Sequence, residues 1–422
     1  MCTALLRDLD EAAADGLGPD DWDVPIEYFP GELEDYEKCG WRCVAHTAQL
    51  CVMDVLDTTR GIAPERDLSM ILNVRTISNA VRNSPNLRNM LRQIQSFHGK
   101  KRLIPLVDMP TRWSTLYYML VRFDEIYSDL LDMCVLGAFD DRDITFPNHQ
   151  QMQRLRAINK ALGPTEKFIR LLEGEKYVTI SAVPSRLNAC KTRLNQMIQS
   201  EDIADVAVML LERLNHRLGF ILTQPNLSLC AAALDPRYGH LNFICNIQPD
   251  YLRNQVWDAV ENLAHQYSDM QPTAQQQLPI GNIPNFDGGN EVNVIRNTLV
   301  TLRAFHEAAL DDECLAKREP LAYYEEIFST HRSARCLKPL IKAIFCIPAS
   351  SAPSERVFSK GRLLLPRLRC NLDPELAESM IIISEYTTSE HYDFNFLLLN
   401  EFMVSEYGQG LYENEVWEGE LW

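Results

Sequence analysis

Apolar positions recur at helical spacing along most of this chain. In Trp41–Leu56 they fall at Trp41, Val44, Ala45, Ala48, Val52 and Val55, which places them on one face of a single helix. The stretch Trp113–Leu136 repeats the pattern at Leu116, Leu120, Phe123, Ile126, Leu130 and Val135. Similar periodicity predicts helices over about 148–172, 181–199, 203–222, 250–268, 293–310, 334–346, 353–365 and 373–386. One short run, Leu103-Ile-Pro-Leu-Val107, reads instead as a buried strand, with Pro105 confining it to an edge or an end. The expected fold class is mainly α.

Between the helical blocks, residues 269–292 are rich in Gln, Pro, Gly and Asn and have no period, so a flexible linker is expected there. No internal repeat is visible. With 422 residues, 46% hydrophobic and 23% charged, the composition is that of a globular chain and excludes wholesale disorder. No apolar run is long enough for a membrane span, and the first residues lack the basic and apolar pattern of a secretory signal. No membrane and no small-molecule substrate are expected, and the compartment is cytosolic or nuclear.

Charge distribution changes the meaning of the net −17. Residues 1–40 carry 12 acids and 2 bases, and residues 385–422 carry 9 acids and no Lys or Arg. The body between them is close to neutral, so nucleic acid is not excluded as a partner. Acidic ends usually act as solvated tails. Of the 12 cysteines, Cys43, Cys51, Cys190 and Cys346 lie in apolar periodic stretches, where a free thiol acts as a small hydrophobe. No Cys-x-x-Cys occurs, which fits a reducing compartment.

Few segments carry candidate chemistry. Cys43 and His46 stand three apart on the first strong helix and share a face, so they could be half of a metal site or a structural cap. Asp108-Met-Pro-Thr-Arg112-Trp113 opens a long helix, with Thr111 suited to cap it. Trp113 beside Arg112 could stack a splayed base and hold a phosphate, or anchor the helix in a core. Leu234-Asp235-Pro236-Arg237-Tyr238 reads as a helix stop in which Asp235 and Arg237 can pair. In Ile347–Lys360, Ser350 or Ser351 can cap a helix and Pro353 suits its first turn. Glu355 then complements the helix dipole or offers a carboxylate to a divalent metal. Arg356 stands beside it, and Arg362, Arg367 and Arg369 follow as a small basic cluster that could touch phosphates. Gly-rich phosphate loops, Gly-x-Ser-x-Gly and His-Glu-x-x-His are absent.

Taken in order, these segments resemble the hAT superfamily of DNA transposases. CVAHTAQL at 43–50 is similar to the family's C-x-x-H helix, and DMPTRWSTLYYML at 108–120 to its Arg-Trp segment. GEKYVTISAV at 174–183 and AAALDPRYGHLNF at 231–243 look like its helical insertion. EPLAYYEEI at 319–327 and the stretch 347–386, which opens with IPASSAPSERVFS, look like its C-terminal dimerisation region. The resemblance implies the remnant of a ribonuclease-H-like α/β core interrupted by an all-helical insertion domain, followed by a helical hAT dimerisation region. Expected divisions are an acidic segment 1–39, a partial core 40–125, the insertion 126–268, the linker 269–292, the dimerisation region 293–390 that completes the core and an acidic tail 391–422.

The family's chemistry is metal-dependent strand transfer by an Asp-Asp-Glu triad, usually preceded by a BED finger. By motif, Glu355 matches the triad's glutamate, Trp113 the DNA-stacking Trp, and Cys43 with His46 the C-x-x-H pair. Arg112, Arg356 and Arg362 would touch DNA. The two aspartates and the BED finger have no match here, because Met1 resembles the continuation of the segment that holds the second aspartate. The expectation is therefore a transposase-derived, nuclear protein that is non-catalytic in this form, binds no cofactor and forms a homodimer, with DNA binding weak. A full-length catalytic relative would use Mg²⁺. The alternatives are a fragment of an active cut-and-paste transposase and a domesticated DNA-binding or chromatin factor.

Overall fold

The computed structural model describes residues 43–364 except 58–60, 109–112, 143, 200–202, 245–247, 270–290 and 309–317, together with a few positions between 376 and 382. By contacts the chain divides into two units, Met1–Ser351 and Ala352–Trp422. Among the described residues the structure is helical throughout, without a strand.

The larger unit is organised around α1 (Val44–Leu56). Its apolar stripe Val44, Ala45, Ala48, Cys51, Val52 and Val55 is buried, as the spacing predicts. Helix α1 packs against α4 (Trp113–Val135), α5 (His149–Leu172) and α7 (Ala204–Leu218). The pair α2 (Glu65–Asn83) and α3 (Pro85–Phe97) turns at Ser84, whose Oγ accepts from Leu87 N at 3.4 Å ahead of Pro85. That combination of cap and first-turn proline stops one helix and starts the next. Helix α5 opens with a reciprocal capping box between Asn148 and Gln151. Farther along it, Pro164 cannot donate a hydrogen bond to the preceding turn.

Beyond α5 the chain forms α6 (Ala182–Met197), α7 with a 3₁₀ turn at Gly219–Leu222, and α8 (Leu227–Leu234). The α8 sequence LSLCAAAL is small or apolar on every side, and its residues Ser228–Leu234 are all buried, against α6, α9 (Pro249–Asp269) and α12 (Lys338–Phe345). The remaining helices are α10 (Glu291–Ala308) and α11 (Pro320–Thr330), with a 3₁₀ turn at Ser333–Leu337 leading into α12. The smaller unit is described through α13 (Ala352–Leu364), which has Pro353 in its first turn as expected.

Several expectations need correction. Leu103–Val107 is not a strand: residues 101–108 have no regular structure. A strand needs a partner strand, and none lies among the described residues. Helix side chains meet these peptide groups instead. The buried Gln95 amide donates Nε2 to Leu103 O at 2.9 Å and accepts Leu103 N–H on Oε1 at 2.9 Å. Arg122 Nη1 donates to Ile104 O at 3.1 Å and Arg82 Nη1 to Pro105 O at 3.4 Å. Val135, expected on the apolar stripe of α4, is exposed because Met119 and Met133 complete the buried face. Cys346 is exposed at the end of α12, whereas Cys51 and Cys190 are buried. The first helix among the described residues is bounded at Val44, with Cys43 as its cap, and Trp41 lies outside the described residues. The linker 270–290, Thr111 and most of 373–386 lie outside the described residues.

Candidate functional site

Three of the singled-out segments meet where α1 begins. The Cys43 sulfur accepts His46 N–H at 3.3 Å and Ser351 N–H at 3.2 Å, and its thiol donates to Ser350 Oγ at 3.6 Å. Val44 N donates to Ala349 O at 3.0 Å, and Ala349 N donates to Thr179 Oγ1 at 3.0 Å. The C-x-x-H start, the 174–183 segment and the IPASS run thus share one junction although more than 300 residues separate its ends in sequence. A thiol in this position caps α1 and fixes the peptide groups of the buried Ser350 turn. His46 is exposed and contributes its backbone, not its ring, to the junction. The structure therefore shows Cys43 as a cap.

Glu355 lies immediately downstream, exposed in the first turn of α13, with Arg356 exposed beside it. It is the only carboxylate of that helix. A divalent ion of the Mg²⁺ type takes about six oxygen ligands, so the donors on α13 do not fit one by themselves. Arg112 and the side chains of Trp113 and Arg362 lie outside the described residues. The entry to their segment is fixed, however: the buried Asp108 receives Arg75 Nε at 2.8 Å and Arg75 Nη2 at 2.6 Å. That fork holds the Arg75 guanidinium above its ordinary pKa against the opposing cost of burial.

The LDPRY segment forms a buried polar centre. The Asp235 carboxylate is fully buried. It accepts Ser181 Oγ at 2.6 Å, Arg237 Nη2 at 2.7 Å, Arg237 Nε at 3.0 Å and Arg237 N at 2.9 Å. Such saturation is what a buried charge requires. The expected Asp235–Arg237 pair is present, and α6 joins it through Ser181. Nearby, His306 of α10 bonds Ala233 O through Nδ1 at 3.0 Å and Tyr323 Oη through Nε2 at 3.3 Å. Tyr324 Oη donates to Leu234 O at 2.7 Å. Burial drives the His306 pKa down to about 4 and raises that of Tyr323 to about 12. Sequence reading found the Asp–Arg pair but not His306, Tyr323 or Tyr324, which sit 70 to 90 residues away; Gly239, pressed against the His306 ring, was the available signal.

One further grouping was not anticipated. His98, Asp129 and Asp132 bring potential metal-ligating atoms within 4.8 Å of one another. Lys100 Nζ already lies 2.7 Å from Asp129 Oδ1 and 2.8 Å from Ser128 Oγ, and His98 Nδ1 lies 3.1 Å from the same Asp129 oxygen. This ion-pair cluster clamps the end of α3 to α4, with the Lys100 ammonium where a cation would sit.

Comparison with known proteins bears on what this arrangement belongs to. Residues 41–161 match the ZBED1 RNase-like helical domain, and residues 305–386 match the hAT family C-terminal dimerisation region. The resemblance to hAT transposase-like proteins is borne out at both segments. Over 340 residues, 78% of this chain, the sequence is 24% identical to the human Zinc finger BED domain-containing protein 4 and covers 27% of it. Over 393 residues, 86% of this chain, it is 22% identical to the Putative transcriptional regulator tpeD of Talaromyces stipitatus and covers 44% of that protein. The chain thus spans less than half the length of these curated relatives. No helix among the described residues is long and apolar enough to cross a membrane.

Proposed function

We propose that this chain is a hAT transposase-derived assembly module that acts as a homodimer through its C-terminal region, without strand-transfer chemistry of its own. The match of residues 305–386 to the hAT dimerisation region carries this reading. Two physical features support it. Phe358 on α13 is 73% exposed, and Phe305 and Leu321, in the same matched segment, are also exposed. Exposed aromatic and aliphatic side chains of this kind are typical of the anchors of protein interfaces. For catalysis, the motif offers Glu355 alone, and a two-ion mechanism needs several carboxylates. Mg²⁺ would serve only a longer catalytic relative. The proposed divisions are the expected ones, with a partial ribonuclease-H-like core at 40–125 that the dimerisation region 293–390 completes.

Light scattering on the size-fractionated full chain tests the proposal. The expected mass is twice 48.4 kDa at micromolar concentration, shifting toward one copy in Phe358→Glu. A monomer at all accessible concentrations sinks the reading. A second reading, a nuclear DNA-binding regulator, is favoured by the name of the fungal relative; it predicts that the same dimer binds DNA in a salt-dependent way.

A further inference from the structure

We propose that the cleft between the starts of α2 and α7 and the N-terminal half of α5 is a binding site for a phosphate-rich polyanion. The cleft encloses about 880 Å³, and its lining includes Arg66, Arg154, Arg156 and Lys160 against only Asp67 and Asp205. Both carboxylates are already taken. Arg154 holds Asp67 through Nε at 3.0 Å and Nη2 at 2.6 Å, and holds Asp205 through Nη1 at 3.0 Å and Nη2 at 2.7 Å. This triad is a rigid floor, with Asp67 only 1% exposed. The other three cations lie around it, Arg66 with its Nε 3.8 Å from Asp67 Oδ1. The side chains of Arg66 and Arg156 are 72% and 52% exposed. Arg156 meets Asp124, which lies outside the lining, and Lys160 is exposed without an ion pair among the described residues.

The remaining polar lining adds donors rather than charge. Gln150 and Gln153 present side-chain amides. Helix α2 starts at the cleft without a side-chain cap, so its first peptide N–H groups add positive potential, whereas in the first turn of α7 Asp205 Oδ1 accepts Val206 N–H at 2.9 Å. A donor-rich, cationic hollow in a chain of net charge −17 is matched by a ligand with many acceptor oxygens and negative charge. Phosphates on a nucleic-acid backbone and free polyphosphate share that chemistry.

The test uses the full chain. Fluorescence anisotropy would follow a labelled DNA duplex of about 20 base pairs, and calorimetry would follow inorganic tripolyphosphate. The wild type should bind at least one probe, with affinity falling as salt rises. The double variant Arg66→Glu/Lys160→Glu should weaken it at least about tenfold and flatten the logarithmic salt slope by about two. Its unfolding midpoint should not move, because both side chains are exposed. Binding of both probes at these residues identifies the backbone phosphates as sufficient; tripolyphosphate alone identifies a free polyphosphate. The control reversal Arg193→Glu/Lys342→Glu alters net charge equally on other helices and should leave binding unchanged. Failure of both probes to bind at low salt overturns the proposal. So does binding that ignores Arg66→Glu/Lys160→Glu, or that weakens equally in the control.

Discussion

Gly239 lies against the imidazole of His306, and there is no room for a methyl group between them. The contact is held from the other side, because His306 is fixed by Ala233 O and by Tyr323 Oη. Gly239→Ala must therefore displace a buried ring or the backbone, which costs about 2 kcal/mol or more. Denaturant unfolding of Gly239→Ala should show this loss. Combining it with His306→Ala should recover part of the loss relative to additivity, since the clash disappears. Strict additivity of the two changes would show that the two residues do not touch.

The same histidine makes stability depend on pH. Burial, the largest influence, lowers its pKa to about 4, while the unfolded chain keeps the ordinary value of 6.5. Between those values the unfolded state binds a proton that the folded state does not. Its contribution is complete above about pH 6.5 and is lost as pH falls toward 4, with an upper limit of about 3 kcal/mol. Urea midpoints measured from pH 7 to pH 5 should fall more steeply in the wild type than in His306→Gln. Parallel curves would remove His306 as the cause.

How far the sequence reached depends on the range of the interaction. Helices α1, α4, α5 and α9 were legible because a stripe such as Leu116, Leu120, Phe123, Ile126 and Leu130 records burial locally. Helix α2 was missed although Leu68, Ile71, Val74, Ile77 and Val81 are buried along it, because buried Asp67 and Ser78 interrupt its apolar pattern. The strand reading of 103–107 failed because a strand is a property of two segments, and Gln95 takes the place of the second. At the candidate site, the Asp235–Arg237 pair could be read across two residues, whereas the meeting of Cys43 with Ser350 spans 307. No local period encodes such a distance.

Gln95 supplies a direct test of that substitution. Its amide is buried and satisfies both peptide groups of Leu103. Gln95→Leu keeps similar bulk but strands a donor and an acceptor, which costs about 2 kcal/mol. Amide exchange at Leu103 should accelerate well beyond the change at the centre of α1. Unchanged exchange at Leu103 would mean that water or another group already satisfies it.

Arg154 joins three helices through two carboxylates, and its hydrogen bond to Asp67 is the leading influence raising its own pKa. Arg154→Met leaves the buried Asp67 without its partner, a loss of about 3–5 kcal/mol. Adding Asp67→Asn removes the stranded charge and should restore part of the stability, although it deletes a second native group. A double variant less stable than Arg154→Met would contradict the view that the uncompensated carboxylate dominates.

Cys43 distinguishes a cap from a metal ligand. As a cap, its sulfur serves His46 N–H and Ser351 N–H, and His46 keeps its ring outside the junction. A serine hydroxyl can accept the same bonds and is a preferred helix cap. Cys43→Ser should therefore stay within about 0.5 kcal/mol of the wild type, and Cys43→Ala should lose about 1–2 kcal/mol. A zinc ligand behaves differently: the serine variant would lose the ion, and a chelator would lower the wild-type unfolding midpoint. Measuring the midpoint of the wild type with and without chelator, beside both variants, separates the two. A chelator-sensitive wild type with a crippled serine variant would replace the capping role with a metal site.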